Sequence, residues 1–128
     1  MTVWLSHAVG LAMHEEQLER HGGAGGVRDA GLLESAFARP RNAAAYADPD
    51  TAELAALYAL GIARNHPFID GNKRAAWMAM VTFLDINGYA FAPPEVEAVL
   101  TMLAMAAGDV DDAPFIAWVR RHAAPSQQ

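Results

Sequence analysis

The sequence predicts an all-α protein, a compact helical bundle with a buried central helix. Three observations carry that prediction. Alanine dominates and no Val/Ile/Thr alternation is sustained, so strand signals are nearly absent. Helix start and stop signals recur from one end of the chain to the other. Two segments, 54–63 and 75–84, are apolar on nearly every side, the pattern of helices enclosed by others. The 128 residues fit one domain spanning 1–128, and with 53% hydrophobic and 19% charged residues the chain is excluded from the disordered class.

Each helix has its own local warrant. Ser6 can cap a first helix that runs to about Arg20, where the glycine-rich stretch from Gly22 to Gly26 ends it as a flexible hairpin. Asp29 can cap a short second helix that stops before Pro40, leaving residues 39–49 as a connector. Asp50 and Glu53 form a capping box for a third helix through Asn65, which must end because Pro67 disfavours helical geometry at His66. A fourth helix opens near Gly71 or Asn72 and runs to the stop signal Asn87-Gly88. Two more follow, Pro94 to Ala107 with Gly108 behind it, and Asp112 to Ala123. Met78, Met80, Met102 and Met105 read as core filler, Trp118 as an anchor for the last helix, and Asp109, Asp111 and Asp112 as solvated caps at its start.

Composition narrows the function. There are no cysteines, which excludes a disulfide scaffold, a thiol nucleophile and a cysteine zinc site. Nine basic residues against fifteen acidic ones give a net charge of −6, so direct nucleic-acid binding is not expected. No apolar run reaches the length of a membrane span and no basic start precedes one, which predicts a cytoplasmic protein without membrane contact.

Against that acidic background, residues 64–74 stand out. The eleven positions Arg64-Asn65-His66-Pro67-Phe68-Ile69-Asp70-Gly71-Asn72-Lys73-Arg74 join the two most apolar segments, yet seven of them are polar or charged. Three of the nine basic residues fall here, including Lys73, the only lysine, so the junction is locally +2 and the remainder −8. A helix start offers unpaired N–H groups and the positive dipole end, and Gly71, Asn72, Lys73 and Arg74 could together wrap a phosphate. Asp70 is a hard oxygen donor suited to magnesium, which takes one or two protein carboxylates and completes its shell with water and phosphate. His66 titrates near neutrality and could accept a proton from an attacking hydroxyl. Together these parts suit phosphoryl transfer. Each also has a plainer reading: His66 as a structural histidine, Asp70 or Asn72 as a helix cap, Arg64 as a partner of Glu53 or another acid, and Phe68 and Ile69 as core plugs fixing the loop. His7, His14, His21 and His122 show no ligand spacing.

The string from His66 to Arg74 resembles the signature of the death-on-curing (Doc) toxins, a branch of the Fic superfamily. The likeness extends to Gly22-Gly23, Val27-Arg28-Asp29, residues 31–36, Ala38-Arg39-Pro40, Phe83-Leu84 and Asn87-Gly88-Tyr89. It implies a Fic/Doc-type helical fold and the toxin of a type II toxin–antitoxin pair. Typical Fic enzymes transfer AMP and carry glycine where this chain has Lys73 and arginine where it has Trp77. In Doc proteins the nucleotide lies reversed, so the resemblance implies a Ser/Thr protein kinase that uses ATP and Mg2+ to phosphorylate a threonine of elongation factor Tu and halt translation. On that basis His66 is the base, and Asp70 the magnesium ligand. Gly71 and Asn72 line the anion hole, while Lys73 and Arg74 hold phosphates and stabilise transferring charge. Residues 39–50 correspond to the flap that positions a target peptide. No Ser/Thr is followed four residues later by Glu and then Gly or Asn, the self-restraint motif of Fic proteins, so restraint is expected from a Phd-type antitoxin. The alternatives are a Fic-type AMP transferase, and a catalytically inactive antitoxin-binding module in operon control.

Overall fold

Ten consecutive residues, Leu54 to Ala63, are buried on every side, and the rest of the chain is arranged round them. In a computed structural model, which describes residues 1–127, the order is α1 (His7–His21), α2 (Ala30–Tyr46), α3 (Thr51–Asn65), α4 (Asn72–Ile86), β1 (Tyr89–Phe91), α5 (Glu95–Ala106), α6 (Asp112–His122) and β2 (Ala123–Pro125). The fold is all-α apart from β1 and β2, three-residue strands paired antiparallel with Ala90 opposite Ala124. No helix among the described residues is long and apolar enough to cross a membrane.

The axis is α3. Asp50 caps it, its Oδ1 accepting the Glu53 N–H at 2.8 Å. The Glu53 carboxylate turns instead toward Arg120, 3.7 Å away, so only half of the expected capping box forms. Alanine and glycine on α3 let neighbours approach closely: a Cβ on Gly61 would lie 3.1 Å from the Ala36 Cα and 3.2 Å from its carbonyl oxygen. Against α3 lies α4, which buries Ala75, Ala76, Ala79, Met80, Phe83 and Leu84 while Trp77, Met78 and Val81 remain half-buried. Thus α3 is enclosed from Leu54 to Ala63 and α4 only partly. Of the four methionines expected in the core, Met80, Met102 and Met105 are buried and Met78 is half-buried. Phe115, Trp118 and Val119 of α6 close the core, and Trp118 donates its indole N–H to Glu97 on α5 at 3.2 Å.

Several boundaries differ from expectation. The second helix does not stop before Pro40; it continues to Tyr46 with Pro40 buried inside it. Proline cannot donate to the carbonyl four residues back. Here that carbonyl belongs to Ala36 and lies against Gly61, so close packing of α2 on α3 outweighs the local breaker. Consequently residues 39–46 are helical, and the connector proposed as a flap shrinks to residues 47–50. Nor does Asp112 merely solvate a helix start. It accepts from Arg39 (2.7 Å) and from Arg64, tying α6 to α2 and α3, while Asp111 occupies the N-cap position.

These ion pairs make stability pH-dependent with a definite sign. The hydrogen bonds from Arg120 hold Asp50 below the usual carboxylate range against the opposing effect of burial. For Asp112 partial burial pushes upward, but Arg39 and Arg64 together outweigh it and the net shift is downward. A depressed folded pKa contributes stability above the unfolded value and loses it as pH falls through the folded one. The thermal midpoint is therefore expected to drop as pH is lowered through about 4 and below. In Asp112→Asn, part of that acid sensitivity disappears. An identical acid profile in the variant and the parent would show that the pairs carry none of it.

Candidate active site

The junction between α3 and α4 folds into a loop whose every turn has an identifiable cause. Pro67 bars the right-handed helical region at His66, which caps α3 in the left-handed conformation (φ 49°, ψ 55°), the one non-glycine residue with positive φ among the described residues. That conformation costs about 1–2 kcal/mol. Arg28 holds it in place, donating Nε–H to the His66 carbonyl at 2.6 Å and a second N–H to the Asn65 carbonyl at 2.8 Å. Pro67 and Phe68 are buried as the loop's apolar root. Ile69 is not a core plug: it is 55% exposed and lines a cleft. Asn72 closes the loop by bonding both backbone groups of Phe68, accepting from its N–H at 3.0 Å and donating to its carbonyl at 2.9 Å.

The cleft, about 1210 Å³, receives all six residues expected there: His66, Asp70, Gly71, Asn72, Lys73 and Arg74. Gly71 is the N-cap of α4, at φ +76°, and no side chain caps that helix. The first-turn N–H groups of Asn72, Lys73 and Arg74 therefore face the cleft without intrahelical partners. Asp70 is not the cap; its Oδ1 accepts the Gly71 N–H at 2.8 Å. The Asn72 side chain is spent on Phe68, so only its backbone N–H is left for an anion. Lys73 and Arg74 are exposed, and the ion pairs of the described residues involve Arg20, Arg39, Arg64, Arg120 and His122 rather than either of them. Arg64, counted in the positive island from sequence, is taken by Asp112 and the Val110 carbonyl (2.8 Å) and lies outside the cleft. What remains is a compact cationic corner of two side chains and a helix N-terminus.

Two parts of this site were not expected. Gly22 and Gly23 are part of the cleft wall rather than a remote hairpin: the loop is bridged to the signature through Val27 and Phe68, and Ile69 N–H donates to the Gly26 carbonyl at 3.1 Å. A Cβ at Gly23 would lie 2.9 Å from Asp70 Oδ2, so a side chain there would crowd the carboxylate. His14, which shows no ligand spacing, is buried beneath the loop. Its signal was a polar residue on the face of α1 that also carries Gly10 and Leu18.

The far half of the cleft is mainly apolar, walled by Trp77 of α4, Phe91 of β1 and Val99, Met102 and Leu103 of α5, with one carboxylate, Glu95, at the start of α5. A positive corner beside an apolar trough suits a ligand with a phosphate chain and an uncharged body. No cluster of three or more His, Cys, Asp or Glu that could hold a metal exists among the described residues. Asp70 is thus the one carboxylate of the loop, with Oδ2 directed toward Gly23. That donor set fits Mg2+, which can take a single protein carboxylate when phosphates and water supply the rest.

The profile of the Fic/DOC family matches residues 4–84, more than half of the chain. The chain belongs to the Fic/DOC family. Within it, "Toxin Doc" of Mycolicibacterium smegmatis is 48% identical over 73 residues, 56% of this chain and 56% of that relative. "Protein kinase doc" of Escherichia phage P1 is 36% identical over 88 residues, covering 67% of this chain and 70% of the relative. The chain thus matches little more than half the length of the first relative. The Fic/DOC match contains α1 to α3 and α4 as far as Leu84, which include every residue of the cationic corner, the glycine-rich wall and the loop's supports.

Proposed function

We propose that this Fic/DOC protein is a Doc-type toxin acting as a Ser/Thr protein kinase, which transfers the γ-phosphate of ATP to a threonine of elongation factor Tu and is silenced by a Phd-type antitoxin. The observation that carries the reading is Lys73 at the first turn of α4, beside Arg74 and with no carboxylate partner among the described residues, where a glycine would leave an open groove. The kinase name of the phage P1 relative supports the reaction class, and the toxin name of the mycobacterial relative supports the biological role.

In this reading the α4 N–H groups and Lys73 grip the terminal phosphates, and Arg74 stabilises charge on the transferring group. His66, exposed at the rim, takes the proton from the target hydroxyl. The hydroxyl oxygen then bonds to the γ-phosphorus while the bond to the β–γ bridging oxygen breaks and ADP leaves. Asp70 would hold Mg2+, which supplies charge neutralisation on the phosphates. The trough formed by Trp77, Phe91 and α5 accommodates the nucleoside or the target.

ATP labelled at the α- or the γ-phosphate tests the reaction. Label on elongation factor Tu from the γ-position alone supports the kinase, and label from the α-position alone would replace it with AMP transfer. For Lys73→Gly, γ-transfer is expected to fall by about 10–100-fold, the cost of one to three kcal/mol of lost charge-assisted phosphate contact, with AMP transfer emerging as the groove opens. Undiminished γ-transfer in that variant would remove Lys73 from the phosphate site.

A further inference from the structure

We infer that His14 is a positioning residue for the Asp70 carboxylate, acting through the peptide unit between Asp70 and Gly71. The inference rests on the proposed kinase for its catalytic consequence and on geometry for everything else. His14 is 4% exposed and is the one polar or charged residue recorded as buried among those described. A buried imidazole is costly unless it is hydrogen-bonded. Its Nε2 lies 2.7 Å from the Asp70 carbonyl oxygen. A carbonyl only accepts, so the imidazole donates and Nε2 carries the proton. The ring is stacked on Phe68 with centroids 3.8 Å apart and planes 8° apart, which fixes its plane as well as its position.

The consequence follows from the planarity of the peptide. In a trans peptide the C=O and N–H point in opposite directions, and no cis peptide occurs in the described chain. Holding the Asp70 carbonyl inward on His14 turns the Gly71 N–H outward, where it meets Asp70 Oδ1 at 2.8 Å. Oδ2 is then the oxygen left facing the glycine-rich wall. Gly71 sits at φ +76°, where glycine moves freely and cannot by itself choose between this peptide orientation and its flipped alternative. The choice is made from outside the loop, by a residue 56 positions earlier.

The test separates the ring from its proton donor. His14→Phe keeps a ring against Phe68 and removes the donor; His14→Gln keeps a donor near the Nε2 position and removes the ring. Three NMR observations on the free protein decide the claim. Wild-type His14 should be protonated at Nε2, and Nδ1-only protonation would overturn the proposal outright. The Gly71 amide proton should lose its downfield shift and exchange at least about tenfold faster in His14→Phe, and recover in His14→Gln. An unchanged Gly71 amide in a folded His14→Phe variant would overturn the proposal, as would a folded His14→Gln variant with no recovery. If His14→Phe fails to fold, the tautomer and the Gln variant still decide. In γ-transfer assays, His14→Phe should lower turnover and raise the Mg2+ requirement by about 10–100-fold, as outer-shell losses do. A packing role alone would lower stability without changing the Mg2+ requirement. Absence of γ-transfer by the wild-type protein would sink the kinase reading while the Gly71 amide still judged the role of His14.

Discussion

His66→Ala is expected to reduce γ-phosphate transfer by about 10²–10⁴-fold, the range for loss of a positioned general base, and to relieve growth arrest. The effect should fall on turnover and leave the fold intact. The His66 side chain is exposed, and the hydrogen bonds that hold this residue use its backbone: the N–H to the Ile62 carbonyl at 3.2 Å and the carbonyl to Arg28. Removing an exposed imidazole usually changes stability by no more than about 0.5 kcal/mol. Equal label incorporation by variant and parent, measured with γ-labelled ATP at matched concentrations, would take the base role away from His66. Toxicity persisting at full strength would point instead to an action through binding alone.

Phe68→Ala should be strongly destabilising, by about 3–5 kcal/mol, as for large-to-small substitutions at filled core positions. Phe68 is 1% exposed, stacks on His14 and bonds through its backbone to both polar atoms of the Asn72 side chain. The cavity left by the ring would open beneath the active loop itself. Denaturant titration should show the lower midpoint, and whatever protein remains folded should transfer phosphate poorly because the His14 ring has lost its support. A Phe68→Ala protein with parental stability would mean that the loop is not rooted in the core. Contrasting outcomes are therefore expected two residues apart: His66 affects rate and spares stability, whereas Phe68 affects both.

The parts of the fold that were legible in the sequence are those fixed by short-range rules. Asp50 and Asp29 cap their helices through their own side chains, the Pro67 restriction acts on the adjacent residue, and Gly88 ends α4 within one turn. The same holds for the site: the six expected residues, and Ile69 with them, reach one cleft from a nine-residue string because one turn of loop and one turn of helix carry them there. What was not legible depends on distant partners. Pro40 looked like a terminator because its local penalty is visible, while the Gly61 surface that accepts the distorted turn is twenty-one residues away. The pairing of Ala123 to Pro125 with Tyr89 to Phe91 has no alternation to announce it; the last helix simply ends against an edge left by the fourth. The role of His14 is hidden in the sequence since its partner is a main-chain oxygen, which no residue type can advertise. Ile69 is ambiguous for a related reason: apolar character alone does not distinguish a core side chain from one lining a cleft.

The clamps on the active loop reach back 37, 38 and 56 residues, from Asn65 and His66 to Arg28 and from Asp70 to His14. Closing such long stretches of chain is slow compared with winding a helical hairpin. During folding, the α3–α4 pair should consequently assemble first and stay chemically silent until the amino-terminal arm swings over and locks it. A fragment starting at Asp50 would contain every letter of the nine-residue string yet lack both clamps and α2, and is expected to be inert.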